Sequence, residues 1–396
     1  MSHRNSLLPA PLKGVDLAVW ALLIGACLAA VAVVGRGRTA VDYPVYVMAA
    51  YGFLRGENVY AWGEEDYARA AADLGLGRYA PPYRYPPLTA LLAVPLVGLP
   101  AAGIWAWSAL QAGAWLLTCW VLGRLGPAGA RRRLIWLGVG LLMPFFAGLY
   151  AGQVNPLATL PAAAAVVLVG AGRAVGGGLL GLSLTLKPLG LGLAALLLWE
   201  GRWRALFGAV ITALVLLSLP AAAFGSVALN FIGSNLFPAP TPYPPAQSLP
   251  GLAARWLTAH PYGFSPADHP AAARWAGLGL SALVLAITAA ASWPPGRSGP
   301  SFQARAGLVC AAALLANPGT WYHHATMLGI PLAVLLGRSA SRPGWWWGGL
   351  ALSYGLIQVW GVAWHALVGC TPLLDLATFG MLGIWALMVF ETRRKP

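Results

Sequence analysis

One lysine stands alone in the apolar stretch VGGGLLGLSLTLKPLGLGL (175–193). A charged group inside such a segment is expensive and by default functional. The ammonium of Lys187 suits an anionic phosphate; the bland alternative is a lysine snorkelling to the interface. Asp42 lies in TAVDYPVY (39–46), among apolar and aromatic neighbours at the end of an apolar run. A carboxyl so placed has a raised pKa and suits general-base work. It also fits an ordinary solvated acid, since Glu57, Glu64, Glu65, Asp66 and Asp73 follow it. Adjacent imidazoles, His323 and His324, close the segment NPGTWYHH (317–324). They suit phosphate or sugar contact better than metal, because no nearby Asp, Glu or Cys completes a ligand set; one of the two reads as structural. Gln153 and Asn155 in GQVNP (152–156) either bind sugar hydroxyls or cap helix ends. Arg84 in YRYPPLTALLAVPL (83–96) meets either phosphate or lipid headgroups. No Walker or dinucleotide glycine loop occurs, so a cytosolic nucleotide substrate is not indicated, and no cofactor is expected.

These residues need a scaffold, and composition defines it. Charged residues make up 9% of the 396 and hydrophobic ones 59%, whereas a soluble domain carries roughly a quarter charged. Apolar runs of bilayer-spanning length recur, among them 17–34, 134–150 and 350–367. The expected fold is all-α, a polytopic transmembrane helical bundle forming one integral membrane domain over 1–396. The net charge of +14 is distributed as short basic clusters between apolar runs. That is the positive-inside pattern of cytoplasmic loops, not a nucleic-acid surface. Cys27, Cys119, Cys310 and Cys370 have no metal-binding spacing and read as small core residues. The 19 tryptophans suggest interfacial anchoring and packing.

Two Pro-rich stretches, 35–87 and 225–270, are too polar to face lipid and form the long extracytoplasmic loops. Arg4 and Lys13 flank the first run, which is read as a retained span with a cytoplasmic N-terminus. Arg124 with Arg131 to Arg133, Arg173, Arg202 with Arg204, Arg297 with Arg305, Arg338 with Arg342, and the C-terminal Arg393 to Lys395 must then all be cytoplasmic. Parity between Arg173 and Arg202 requires two half-length helices, about 174–186 and 188–199, broken at Lys187-Pro188. The same logic makes 306–320 and 325–337 a pair turning at 317–324, and Pro95 and Pro100 kink the stretch 88–122. About twelve helical segments result. Irregular backbone at membrane depth survives only where protein or water satisfies it. The turns at 152–156, 187–188 and 317–324 therefore point to a shared polar chamber on the side of both long loops.

Six motifs in order carry a resemblance: DYPVYVMAAYGFLRGENVYA (42–61), YRYPPLTALLAVPLVGLP (83–100), GQVNP, LTLKP (184–188), AQSLPGLAARWL (246–257) and NPGTWYHH. Together they resemble glycosyltransferase family 87, polytopic mannosyltransferases of the C-type class, over about 39–337. The resemblance implies a polyprenyl-phosphate sugar donor, usually the mannose carrier, and inverting, metal-independent transfer on the extracytoplasmic face. The acceptor would be a lipid-linked or envelope glycan, the setting a bacterial plasma membrane with both termini cytoplasmic. The family's essential first-loop aspartate falls on Asp42, as base for the acceptor hydroxyl. Its helix-break lysine falls on Lys187 and its paired histidines on His323 and His324, as donor-phosphate contacts, and its Gln-Ser-Leu element on Gln247 to Leu249. Ala246, Asn317 and Tyr322 depart from the residues common at their positions. The rival reading is a transporter or lipid-carrier flippase, since transporters also build sites from broken helices. No internal repeat supports it.

Overall fold

Helices, most of them apolar and punctuated by proline and glycine, follow one another through the chain. In the computed structural model, which describes residues 13–37, 41–76, 82–234, 239–295 and 298–394, they are α1 (Gly14–Gly37), α2 (Tyr43–Leu54), α3 (Glu64–Asp73), α4 (Pro87–Ala93), α5 (Pro100–Leu122), α6 (Ala130–Gly140), α7 (Met143–Ala151), α8 (Asn155–Gly170), α9 (Gly176–Leu186), α10 (Leu191–Trp199) and α11 (Trp203–Phe224). After the second long loop, which holds α12 (Leu249–Leu257), come α13 (Pro270–Ala291), α14 (Gly299–Ala316), α15 (Gly329–Gly337), α16 (Gly344–Ala363) and α17 (Leu376–Arg393). Proline opens many of them, as at Pro44, Pro87, Pro100, Pro144, Pro156 and Pro270. There its missing N–H is one the first turn leaves unpaired anyway. Among the described residues, six helical stretches are long and apolar enough to cross a membrane, 14–36, 130–151 (α6 and α7 together), 203–224, 270–291, 344–367 and 376–393. The fold is all-α and polytopic, as composition required.

Ion pairs sort the helix ends into two faces. Asp16 pairs with Arg133 at 3.4 Å, Glu200 with both Arg202 (2.7 Å) and Arg305 (2.6 Å), and Arg342 with Glu391 (2.6 Å). Every one joins ends that parity assigns to the same side. The basic residues Arg4, Arg297 and Lys395 lie outside the described residues. On the opposite face, the Asp42 N–H donates to Ala151 O, the Tyr322 N–H to Pro245 O, and the Gly369 N–H to Tyr262 O, at 2.9, 2.7 and 2.8 Å. Asp42 is thereby tied to the turn at 152–154, and Pro245 of the second stretch to the turn at 317–322.

The helix breaks fall where expected, and neighbouring side chains repair them. Lys187 is extended (φ −161°, ψ 127°) between α9 and a 3-10 turn, Pro188–Gly190. At eleven and nine residues, α9 and α10 are each about 15 Å long, half the ~30 Å core. The Leu186 carbonyl at the break accepts a hydrogen bond from Thr89 Oγ1 of α4 at 3.0 Å. The run expected as one span over 134–150 is broken between α6 and α7. Gln358 of α16 spans the gap, its amide donating to Leu141 O and accepting from the Met143 N–H, both at 2.7 Å. A polar side chain from a neighbouring helix thus satisfies backbone freed in the middle of the bundle. Close packing of α9 on α11 depends on missing side chains: a Cβ at Gly177 or Gly181 would strike the carbonyl oxygen of Ala205 or Ala209.

The first loop departs from expectation. Its segment 43–54 is a helix buried almost throughout, with Val45 to Ala50 inaccessible. Too short to span, it lies within the outer layer of the bundle against α4 and α5. Asp42 is the residue just before its first turn, with no capping bond from its side chain.

Candidate active site

Asp42 enters the site because the backbone at both its ends is fixed. Its own N–H is bound to the end of α7, and α2 begins at the next residue. Asp42 is 9% exposed; the Tyr85 hydroxyl lies a long 3.5 Å from its Oδ1, and the Gln153 amide and the Lys187 ammonium also act on the carboxylate. That bond lies at the outer limit for an O–H donor. Tyr85 is positioned by alternation: in the extended stretch before α4, Tyr83 and Tyr85 point inward and Arg84 outward. The Tyr85 ring meets Tyr46 of α2 edge-on at 4.8 Å.

Gly152 makes the second half of the site possible. It ends α7 with φ +77°, in the left-handed region that suits glycine. Its carbonyl accepts from the Trp107 indole N–H at 2.8 Å, and the turn delivers Gln153 and Asn155 to the Lys187 ammonium. Lys187 Nζ donates to Gln153 Oε1 at 2.9 Å and to Asn155 Oδ1 at 2.8 Å, and lies 4.9 Å from the Tyr85 ring centroid. Two of its three N–H donors are thus committed, and the third remains for an anion. Gln153 Nε2 also donates to the Tyr85 hydroxyl at 3.0 Å. A continuous chain therefore runs from Lys187 through Gln153 and Tyr85 to Asp42. Tyr85 and Tyr46 were not singled out from the sequence; alternation about Arg84 is the signal that could have exposed Tyr85.

The histidines join the same cluster with unequal tasks. Asn155 Nδ2 donates to the His323 carbonyl at 2.8 Å, tying the turn at 317–324 to the Lys187 break. His324 Nδ1 accepts from the Trp321 N–H at 3.1 Å and caps the 3-10 turn Tyr322–Leu328. Its ring meets that of His323 at 4.6 Å, nearly perpendicular. With His324 occupied in capping, the half-buried His323 ring is the better placed to meet a substrate.

Two expected contacts stand apart. Arg84 is exposed, whereas Tyr83 and Tyr85 on either side of it are buried. Gln247 is fully buried, and all four of its hydrogen-bonding positions are taken. Its amide donates to Pro244 O and Leu374 O and accepts from the backbone and hydroxyl of Thr378. It fastens the second long loop to α17 and has nothing left for a sugar. Beside it Arg255 and Asp375, both fully buried, form an ion pair. Trp256 Nε1 adds a bond to Asp375 at 2.8 Å, and Arg255 reaches Ala246 O at 2.8 Å. Removing one member of a buried pair strands the other, at about 3–5 kcal/mol. Asp375→Ala is therefore expected to lower the thermal midpoint of the purified protein in micelles by several degrees, read by scanning fluorimetry. An unchanged midpoint would mean that the clamp does not hold the loop.

Next to the polar cluster the bundle opens sideways. A cleft of about 590 Å³ lies between α4, α5, α8, α9 and α11, walled by Leu88, Leu91, Leu157, Leu182, Leu186 and Leu216. Leu92, Leu110 and Leu219 at its edge are each more than 40% exposed, as lipid-facing residues are. Leu186 of this wall is the residue before Lys187 at the helix break.

A buried carboxylate and a buried ammonium thus share one hydrogen-bonded cluster at a helix break. The model of glycosyltransferase family 87 matches residues 83–318, more than half of the chain. No curated protein and no solved structure matches it. The matched stretch includes Tyr85, Gln153, Asn155 and Lys187, whereas Asp42, His323 and His324 fall outside it and are joined to it by the contacts above. An enzyme, rather than a transporter, follows from that match: the chain belongs to glycosyltransferase family 87 and is a membrane glycosyltransferase.

Proposed function

We propose that the enzyme transfers a hexose, mannose in the first instance, from a polyprenyl-phosphate carrier to a lipid-linked or envelope glycan acceptor. The observation that carries this reading is the junction at residues 186–187. The apolar cleft takes an isoprenoid chain, and Lys187, next in the chain to Leu186 of its wall, meets the phosphate with its third donor. Asp42, bridged to the same ammonium through Tyr85 and Gln153, takes the proton of the acceptor hydroxyl. Attack by that oxygen on the anomeric carbon forms one bond as the bond to the phosphate oxygen breaks. The phosphate leaves with the electron pair, and Lys187 stabilises the charge that develops there. One displacement inverts the anomeric centre; a retaining route would need a nucleophile beside the acid–base group, and among the described residues Asp42 is the one carboxylate that hydrogen-bonds into this cluster. By the positive-inside rule the face carrying the ion pairs is cytoplasmic, together with both termini, and the site faces outward in a bacterial plasma membrane. The chain forms a single membrane domain, with 35–87 and 225–270 as its outer loops.

Purified protein in liposomes, supplied with radiolabelled polyprenyl-phosphomannose or with GDP-mannose, tests the donor. Sugar is expected to move from the lipid carrier to membrane acceptors and not from the nucleotide. Transfer from the nucleotide alone would overturn the reading.

A further inference from the structure

Above the histidines, four aromatic rings from three separate segments converge. Tyr243 and Tyr262 belong to the second long loop, Trp321 to the turn before His323, and Trp364 to the end of α16. Tyr243 is the hub: its ring centroid lies 5.4 Å from that of Trp321, 5.6 Å from Tyr262 and 6.3 Å from Trp364, each in edge-to-face geometry. Beneath them a closed layer forms the floor, with Trp360 stacked under Trp364 at 5.8 Å and Tyr322 against Trp360 at 4.5 Å. Trp360 and Tyr322 are almost wholly buried. The upper layer is open: Trp321 is 38% exposed and its three partners are half-buried.

Tryptophans that only anchor a protein at the bilayer surface form a belt around its girth. These rings instead gather over one point, and the loop bearing them is clamped from below by Arg255–Asp375 and Gln247. The cluster also continues into the site. Trp321 lies 5.9 Å from the His323 ring, and the His323 carbonyl holds Asn155, which in turn holds Lys187. A pyranose presents a face of C–H bonds that are weakly positive and apolar. That face complements the negative face of an aromatic ring, while the hydroxyls at the rim stay in water.

We propose that Tyr243, Tyr262, Trp321 and Trp364 form a carbohydrate platform that seats a pyranose ring of a glycan acceptor. The acceptor is then a glycoside, recognised through its sugar, not a simple alcohol or a protein side chain. This rests on the proposed transfer for the ligand's role, but its binding is measured without turnover.

Saturation-transfer NMR on the protein in nanodiscs, with methyl α-mannobioside as probe and empty nanodiscs as blank, tests the platform. The wild type is expected to saturate the probe's ring C–H protons. Trp321→Ala weakens binding about tenfold, and Trp321→Tyr restores most of it, which separates loss of the ring from misfolding. Trp275, 71% exposed on α13, is a tryptophan away from the cluster; Trp275→Ala leaves the signal unchanged. Asp42→Asn also keeps it, because seating a sugar does not need the base. A wild type silent above the blank, a Trp321→Ala signal equal to wild type, or an equal loss in Trp275→Ala would each overturn the platform. Probe binding without any release of sugar from polyprenyl-phosphomannose would sink the transfer reading and leave the platform standing.

Discussion

Asp42→Asn is expected to lower kcat for transfer by about 10²–10⁴-fold, the range a positioned general base supplies, with the protein still folded. Asparagine has the same shape and can still accept the Tyr85 hydroxyl, so the change removes the proton acceptor and little else. The wild-type pH profile carries the same signature. Burial pushes the Asp42 carboxyl above the ordinary carboxylate range, while the Gln153 amide, the Lys187 ammonium and the Tyr85 hydroxyl pull it back without cancelling the rise. The base works only when deprotonated. Transfer is therefore lost as the pH falls through this raised value, earlier than for an exposed aspartate. Single-turnover rates measured across pH for wild type and Asp42→Asn decide the matter. A mutant with wild-type kcat would remove Asp42 as the base, whatever its effect on KM.

Lys187→Met should cost about 10²–10³-fold in kcat, comparable to loss of one preorganised donor at a site of developing charge. The loss is compounded because Gln153 Oε1 and Asn155 Oδ1 each give up their donor, leaving the turn at 152–155 less tightly held. Lys187→Arg does not repair it. A planar guanidinium fork cannot reproduce a point ammonium between two amide oxygens. The informative measurement is the split between kcat and the donor KM. A stabiliser of the leaving phosphate acts mainly on kcat, whereas a residue that binds donor and transition state alike moves KM alone. A rise in donor KM with kcat intact would reduce Lys187 to a headgroup anchor.

What the sequence determined by itself was whatever is written in local chemistry. A near-absence of charge required a membrane, and the placement of arginines fixed which helix ends share a face; Glu200 bonded to both Arg202 and Arg305 is the structural expression of that rule. Proline after a lone lysine located the break at 187–188, because proline removes an N–H from the helix ladder wherever it stands. Residue type and position, and then the family motifs, singled out Asp42, Lys187, Gln153, Asn155 and the histidines, and these do converge. Only the tertiary structure could decide what each side chain is used for, since a hydrogen-bond partner is set by packing between residues far apart in the chain. Gln247 and Gln153 are the same amide within two recurring motifs. One is exhausted by Pro244, Leu374 and Thr378, while the other bridges an ammonium and a phenol. Arg84 and Tyr85 are adjacent, yet extended backbone turns them to opposite faces, and it is the phenol that reaches Asp42. Gln358 gave no signal in its own segment, because the gap it closes lies more than two hundred residues earlier in the chain. Sequence patterns report the cost of placing a group in lipid; which partner offsets that cost is settled only when the helices pack.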